Sequence, residues 1–349
     1  MEKETTWIDA WIRWDRNSKD IVDEDQNDDV GDDERVPPTT NFSFDYTLPA
    51  QRYDSCSFAP LNLTLNLRGF PSESEQIWNS TGLTLWPSSH HLCEYLLQHY
   101  QELLPFDDTN ETVSGTIVEK QRNIRAVELG SGLGRCGLLL HHLMAMQDGI
   151  GSHIYLTDGD TDTLAQLRDN VIENTNQDGG TKPIASADNE QRNERDNELH
   201  SVSCHQLLWG KETTEAFCER HFSNVPINQP PDVTNSQEKD HSGHPVSLSC
   251  VDLVCGSDLI YAPRVIGPLF ETVLRLLQNR DEAETRPQND LDGTTTNTKP
   301  IFLMAHSDRR EGSSVTLKMV LEGAQAAGLK YEILQQVVNE GIFIIAFRI

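Results

Sequence analysis

Four glycines lie close together in VELGSGLGRCGLLL, the stretch that runs from Val127 to Leu140. Gly130, Gly132 and Gly134 give the spacing G-x-G-x-G, and the same stretch read from Gly132 to Gly137 gives G-x-G-x-x-G. Glycine allows positive φ angles and lets a ligand approach the backbone where a helix begins. The first spacing is common in loops that hold S-adenosylmethionine, and the second is the dinucleotide fingerprint. The glycines alone leave both cofactor classes open.

Two carboxylates near the glycines distinguish these classes. Asp158 ends the next apolar run, 24 residues after Gly134, where a carboxylate can take both ribose hydroxyls of either cofactor. Glu128 stands two residues before Gly130. Its negative charge is unfavourable beside a diphosphate and favourable beside a sulfonium and an α-amino group. We therefore predict that S-adenosylmethionine is the cofactor, bound by Glu128, Asp158 and the glycines at 130, 132 and 134.

Two tryptophans stand where they can enclose a cofactor. Trp86 precedes a segment with helical spacing, which Ser88 or Ser89 is expected to cap. Trp209 ends a predicted strand in LLWGK, and the ends of strands form the ligand crevice of a doubly wound sheet. We predict that both tryptophans bind the cofactor, Trp209 against its adenine ring. The alternative for each is ordinary packing in the core.

A third polar group interrupts an apolar strand in CGSDLIYAP, residues 255–263. Ser257, Asp258 and Tyr261 follow one another where the strand is expected to reach the crevice. A charged side chain in such a place needs a partner or a purpose. We predict that Ser257 lies beside the cofactor and that Asp258 and Tyr261 serve catalysis. The alternative is that Asp258 caps the next helix.

An alternation of strands and helices positions these residues. Strands are predicted at 124–129, 153–158, 201–209, 251–261 and 301–307, helices at 134–146, 160–175, 264–278 and 314–328, and two final strands in LKYEILQQV and GIFIIAFRI. Such alternation predicts an α/β fold with a doubly wound, mainly parallel sheet of seven strands. Because no helix separates the final two strands, we expect the last strand to be antiparallel.

The charge of the chain is strongly acidic, with 55 Asp plus Glu against 28 Lys plus Arg and a net charge of −27. This excludes a groove for nucleic acid, which needs a concentrated positive field, and it suits a basic protein partner. The alternative is that the charge lies in solvated loops. We predict an N-terminal extension, 1–76, with an acidic segment at 18–36 and a β-hairpin in LNLTLNLRGF. A catalytic domain follows at 77–349, with acidic insertions near 177–200, 223–245 and 279–300.

The seven cysteines include no C-x-x-C pair, so neither a disulfide framework nor a metal site is expected. The first residues carry no apolar signal region, and no apolar run has the length of a membrane span. We expect a monomer of the cytoplasm or the nucleus, without contact to a membrane.

Several motifs together resemble one family. TGLTLWPSSHHLCEYL, VELGSGLGRCGLLL, LTDGD with LRDNVIEN, LLWG and GSDLIYAP occur in an order that is similar to the seven-β-strand protein methyltransferases of family 16. The similarity covers residues 77–349 apart from the insertions, and includes SDRREGS and the closing hairpin. Most characterised members of this family modify lysine. The resemblance implies a class I, Rossmann-like fold with S-adenosylmethionine as its cofactor.

The family's functional residues can be placed on this sequence. Its glycine loop, acids and tryptophans surround the cofactor, which implies the same for Trp86, Glu128, Gly130, Gly132, Gly134, Asp158 and Trp209. Its D-x-x-Y element, associated with the target side chain, falls on Asp258 and Tyr261. Leu208 stands where many members carry a polar residue, and Ala262 where an acid is common. These departures concern the substrate more than the cofactor.

The predicted function is therefore methylation of a lysine side chain in a protein, with S-adenosylmethionine as donor. Two alternatives stay open. A histidine or small-molecule methyltransferase would use the same cofactor site with a different acceptor channel. A catalytically silent interaction module would keep the fold without turnover.

Overall fold

The computed structural model describes most of the chain from residue 39 onwards. The described ranges are 39–48, 61–70, 81–104, 122–147, 150–175, 199–222, 251–278, 299–308 and 314–349, with the backbone of four short strands between them. All of them belong to one unit, residues 38–349. The predicted division at residues 76 and 77 falls inside this unit. The acidic segment at 18–36 and the predicted insertion at 223–245 lie entirely outside the described residues. Of the other two predicted insertions, only residues 199–200 and 299–300 are described.

The structure contains thirteen strands and six α-helices in its described part. The strands are β1 (Thr40–Leu48), β2 (Arg52–Tyr53), β3 (Cys56–Ser57), β4 (Leu61–Gly69), β5 (Asn110–Val113), β6 (Thr116–Glu119), β7 (Arg122–Leu129), β8 (Ile150–Asp158), β9 (His200–Gln206), β10 (Leu253–Ser257), β11 (Ile301–Ser307), β12 (Lys330–Val337) and β13 (Ile342–Arg348). The helices are α1 (Pro87–Leu103), α2 (Arg135–Ala145), α3 (Thr161–Thr175), α4 (Lys211–Phe222), α5 (Ile266–Gln278) and α6 (Leu317–Ala326). Short 3-10 helices span Thr81–Leu83 and Pro263–Val265.

Seven strands form one sheet in the order β12-β13-β11-β10-β7-β8-β9. The five strands from β7 to β11 run parallel, and β13 is antiparallel to both of its neighbours, β11 and β12. The predicted doubly wound sheet with an antiparallel last strand is therefore confirmed. The chain winds outwards in one direction through β8 and β9, then returns to the centre and winds in the other direction from β10. This reversal opens a crevice at the carboxyl ends of β7 and β10, where α/β folds bind ligands.

The core lies on both faces of the parallel strands, which is why they are apolar without alternation. In β10, Leu253, Val254 and Cys255 are completely buried. On one face α5 buries residues at helical spacing, among them Phe270, whose ring lies 5.3 Å from that of Phe347. This packing holds the crevice rigid from below.

The predicted hairpin within LNLTLNLRGF is wrong, because this stretch is the single strand β4; it forms a hairpin with β1 that packs against α3. The two strands pair antiparallel from Thr40–Gly69 to Leu48–Leu61. The free edge of β4 is satisfied by two asparagines one turn apart on α3. Asn170 accepts from the Arg68 amide at 2.8 Å and donates to the Arg68 carbonyl at 3.2 Å, and Asn174 does the same for Asn66 at 2.9 and 2.7 Å. The asparagine side chains thus replace a neighbouring strand.

One detail of the predicted helices is wrong. Pro87 is the first residue of α1, with Trp86 at the N-cap and no side-chain cap, so Ser88 and Ser89 lie inside the first turn. Proline is favoured there because its missing amide is one that a helix leaves unpaired. The Ser89 hydroxyl instead donates back to the Trp86 carbonyl at 2.8 Å. Among the described helices, none is long and apolar enough to cross a membrane.

Candidate active site

A cavity of about 520 Å³ lies at the carboxyl ends of β7, β8, β9 and β10. This volume is within the range of pockets for small molecules and cofactors. Nine of the ten residues that the sequence predicts for the site line it: Trp86, Glu128, Gly130, Gly132, Asp158, Trp209, Ser257, Asp258 and Tyr261. The tenth, Gly134, is not among the lining residues. The fold therefore brings together groups that are separated by up to 175 residues in the chain, from Trp86 to Tyr261.

The glycine loop follows β7 and leads into α2. Gly130, Gly132 and Gly134 all have positive φ, of 55, 53 and 87°. A side chain on Gly132 would place its Cβ 2.9 Å from the carbonyl oxygen of Gly82, because two backbones approach closely there. Gly134 forms the N-cap of α2. It shapes the turn from outside the cavity, whereas Gly130 and Gly132 leave backbone at the cavity wall.

Asp158 holds this loop from the neighbouring strand. Its Oδ2 accepts from the Gly132 amide at 3.1 Å and its Oδ1 accepts from the Asp160 amide at 3.1 Å. Burial raises the pKa of the Asp158 carboxyl. A carboxylate has about four acceptor positions, so these two bonds leave capacity for the hydroxyls of a ribose.

Glu128 is the most deeply buried acid of the site. Its Oε2 accepts from the Gly137 amide at 3.0 Å, and a Cβ on Gly137 would stand 2.7 Å from that oxygen. Burial raises the pKa of the Glu128 carboxyl to about 8, and the nearby Cys93 thiol adds to the effect. The carboxyl therefore holds its proton at neutral pH, and a cationic ligand that binds beside it would favour its ionised form.

Asp258 adopts a strained backbone at the end of β10. It is the one described residue other than glycine with a positive φ, of 50°. Its Oδ2 accepts from the backbone amide of Ser88 in the first turn of α1 at 3.3 Å. The alternative that Asp258 caps the following helix is wrong, because the 3-10 turn there has Ala262 at its N-cap without a side-chain bond. The carboxylate instead joins the start of α1 to the end of β10.

The mouth of the cavity is lined by large side chains. Tyr261 is 46% exposed and Leu208 is 56% exposed, although both are among the lining residues. Trp209 is half-buried and lies close to the glycine loop, with its Cζ2 3.6 Å from the position of a Cβ on Gly130. The Trp86 indole donates to the carbonyl of Thr81 at 2.9 Å. Both tryptophans line the cavity, Trp86 from the start of α1 and Trp209 from the segment after β9.

The sequence analysis did not identify Arg135, although this residue also lines the cavity. Arg135 is the first residue of α2 and is only 7% exposed. The signal was present in GRCGLLL, where one charged residue begins an otherwise apolar helix. Buried arginines are uncommon unless paired, so this position was a candidate for function.

One comparison with known proteins matches part of the chain to a family. Residues 72–227 match the model of the family described as lysine methyltransferase. No curated protein matches the sequence.

Three of the solved structures to which the chain is similar are methyltransferases at low sequence identity. A precorrin-6y C5,15-methyltransferase from Geobacter metallireducens is 10% identical, with 66% of this chain and 82% of that chain covered and a TM-score of 0.33. A SAM-dependent methyltransferase from Aquifex aeolicus is 10% identical over 76% and 94% of the two chains, with a TM-score of 0.34. The human methyltransferase 10 domain containing protein is 11% identical over 76% and 84%, with a TM-score of 0.32.

Proposed function

We propose, from the match of residues 72–227 to the model of the lysine methyltransferase family, that the chain is an S-adenosylmethionine-dependent enzyme that methylates a lysine side chain of a protein. The observation that carries the proposal is the charge of the cavity lining. Three aspartates line it, Asp158, Asp160 and Asp258, together with the largely protonated Glu128 carboxyl, against one arginine. Such a lining attracts a cationic acceptor, and lysine is the cationic side chain whose nitrogen can become a nucleophile.

The residues of the cavity fit the cofactor. A glycine loop without side chains lets the ligand approach the backbone, Asp158 offers a carboxylate to the ribose, and Glu128 lies at the end of β7. We propose that Trp209 packs on the adenine and that Trp86 and Ser257 complete the wall. When bound, S-adenosylmethionine supplies an electrophilic methyl group on its sulfonium.

The protein must then present the acceptor nitrogen as a neutral lone pair. A free lysine has a pKa near 10.4, so its deprotonation at cellular pH costs about 4 kcal/mol. A narrow channel that excludes water lowers this cost because it disfavours the ammonium. We assign to Asp258 the positioning of the incoming ammonium and to Tyr261 the orientation of the nitrogen. Alignment of the reacting atoms at about 3–3.5 Å provides much of the acceleration.

Asp258 is suited to this role by its position. It is 8% exposed, it lines the cavity, and its strained φ of 50° aims the carboxylate from the strand end. Strain of this kind persists where the surrounding structure holds it, and it is frequent at functional sites. The bond to Ser88 fixes one carboxylate oxygen.

Asp258→Asn tests the assignment with little disturbance of the fold. Asparagine tolerates positive φ and can still accept from the Ser88 amide, but it carries no charge. We expect methyl transfer to protein lysine to fall at least 100-fold while binding of S-adenosylmethionine changes less than threefold, as estimated from the roughly 10²–10³ effect of removing one positioned electrostatic group. Tyr261→Phe is expected to lower the rate of methyl transfer about tenfold. Tyr331→Phe, a change at another exposed tyrosine, is the matched control.

The acceptor itself is identified by labelling a lysate with a radioactive methyl donor and hydrolysing the labelled protein. Methyl-lysine as the product supports the proposal. Methyl-histidine, or label in small molecules alone, would favour the alternative methyltransferases. Absence of both turnover and cofactor binding would favour the silent interaction module. The glycine loop and Asp158 argue against that alternative.

We further propose that the substrate is a basic protein, that the enzyme acts as a monomer in the cytoplasm or the nucleus, and that neither nucleic acid nor membrane is its partner. The acidic chain supports the first point. Association through exposed charge weakens as salt rises. A KM for the protein substrate that is independent of ionic strength would contradict the proposal of a basic substrate.

A further inference from the structure

Arg135 is a buried cation without a carboxylate partner among the described residues. Arg135 is only 7% exposed. Its guanidinium forms hydrogen bonds with two groups, the hydroxyl of Tyr46 and the imidazole of His90. Of the residues that the structure describes around the cavity, Arg135 alone is an arginine or lysine. A desolvated charge of this kind is costly unless it meets an opposite charge.

The two hydrogen bonds of Arg135 hold it in place without a carboxylate, and the buried Cys93 thiol, whose pKa Arg135 helps to lower, lies near it. Nε donates to the Tyr46 hydroxyl at 2.8 Å, and burial raises the pKa of this phenol, so that it stays uncharged. One terminal nitrogen donates to His90 Nδ1 at 3.1 Å, which makes this ring nitrogen an acceptor. The guanidinium carbon lies 3.7 Å from the centre of the Phe44 ring. Tyr46 and Phe44 both belong to β1, so the N-terminal hairpin positions this arginine.

The nearest acid along this network is Glu94. Its carboxylate contacts the far side of the His90 ring, with 3.3 Å between Oε1 and Nε2, and its side chain is 48% exposed. An imidazole therefore separates it from Arg135. The N-terminus of α2, where Arg135 stands, adds the positive end of the helix dipole.

We infer that Arg135 binds the α-carboxylate of the methionyl part of S-adenosylmethionine. This inference rests on that cofactor occupying the cavity and is independent of whether lysine is the acceptor. The methionyl part carries one negative and one positive group, and Arg135 and Glu128, which line the cavity, stand at the two ends of the same glycine loop. Arginine matches a carboxylate with two parallel N–H donors. The hairpin of β1 and β4 is thereby part of the cofactor site.

A ligand that differs only in the carboxylate gives the decisive measurement. We would compare the affinities of S-adenosylmethionine and its decarboxylated form, which keeps the sulfonium and the amine, for the full chain and for Arg135→Met. The wild-type protein is expected to bind the decarboxylated form at least about 30-fold more weakly, because an unpaired buried charge remains. In Arg135→Met this preference is expected to shrink to about threefold or less. Arg135→Lys, which keeps the charge but loses the fork of donors, should lie between them.

Binding of 5′-methylthioadenosine, which lacks the methionyl tail, shows in each variant that the cavity is intact. Arg275→Met, in which a surface arginine paired with Glu215 is removed, is the matched control and should keep the wild-type preference. An unchanged preference in Arg135→Met that still binds 5′-methylthioadenosine would overturn the inference and point to a carboxylate on the acceptor instead. If Arg135→Met does not fold, a wild-type preference below threefold, or an unchanged preference in Arg135→Lys, would overturn it equally. Failure of the wild-type protein to bind any of the three ligands would contradict the proposed function as well.

Discussion

Removal of the acid at Glu128 is predicted to abolish a pH dependence of cofactor binding. With a pKa of about 8, the Glu128 carboxyl is about one-tenth ionised at pH 7. We propose that the α-ammonium of the cofactor binds the ionised form. Binding at pH 7 must then remove about 0.9 proton, at a cost of about 1.4 kcal/mol. The affinity should therefore rise nearly tenfold for each pH unit between pH 6 and pH 7.5.

Titration calorimetry measures this directly. The apparent binding enthalpy at pH 7 should differ between phosphate and Tris by about 0.9 of the difference in their ionisation enthalpies, since the released proton is taken up by the buffer. In Glu128→Gln both the pH slope and the buffer dependence should vanish. Glu271→Gln, which changes an exposed glutamate of α5, is the matched control and should behave as wild type.

A second ligand separates the amine from the pocket. Binding of 5′-methylthioadenosine, which has no α-ammonium, should be nearly independent of pH in the same window. A wild-type affinity for S-adenosylmethionine that is flat from pH 6 to pH 7.5, with no proton released, would refute the assignment of Glu128 to the ammonium. The window stops at pH 7.5 because the α-amino group of the ligand titrates near pH 8.

Three further predictions concern stability and the loop. The pKa of Glu128 in the folded protein lies above its ordinary value of 4.5, so its contribution to stability falls as pH rises from about 4.5 to 8. Glu128→Gln should remove this slope and raise the free energy of unfolding at pH 8 by up to about 5 kcal/mol. A chemical denaturation series in which both proteins show the same dependence of stability on pH would contradict this prediction. Gly132→Ala should weaken cofactor binding at least about tenfold, because a φ of 53° costs an alanine about 1–2 kcal/mol and the new Cβ meets the Gly82 carbonyl. Gly267→Ala, whose Cβ would have no atom within 4 Å, should bind the cofactor normally in the same titration. Asn170→Ala should destabilise the hairpin by about 1–3 kcal/mol and speed hydrogen exchange at the Arg68 amide, with Asp169→Ala as a control on the exposed side of α3; an unchanged exchange rate would show that the amide bond is not needed.

The central sheet could be predicted from the sequence because its signals are local. Four of the five parallel strands, β7, β8, β10 and β11, are apolar runs, and each is followed by a helix or strand that the sequence also predicts. The strand β9 is only half-buried, and the helix α4 that follows it was not predicted. The same holds for the glycine loop, since its three positive φ angles need glycine at those positions. Asp158 and Trp209 could be placed near it because the carboxyl ends of parallel strands meet at one edge of the sheet.

Contacts that join distant segments could not be predicted in the same way. The bond from Ser88 to Asp258 spans 170 residues, and neither residue type indicates the other as its partner. The strand β1 did carry a signal, because Phe42, Phe44 and Tyr46 alternate with polar residues, but its pairing with β4 depends on tertiary packing. Arg135 depends on that hairpin for its position. Its role in the site therefore became visible only with the structure.

The two asparagines of α3 also set an order of assembly. The hydrogen bonds of β4 with Asn170 and Asn174 join residues 102 and 108 positions apart, and the helix that supplies them is synthesised after the hairpin. Because distant contacts form late, the hairpin can close its second edge only once α3 lies on the sheet. The bond of Arg135 to Tyr46 needs the same hairpin in place. The acquisition of cofactor affinity should thus coincide with docking of the hairpin, which makes the time course of ligand binding during refolding a readout of the last folding step.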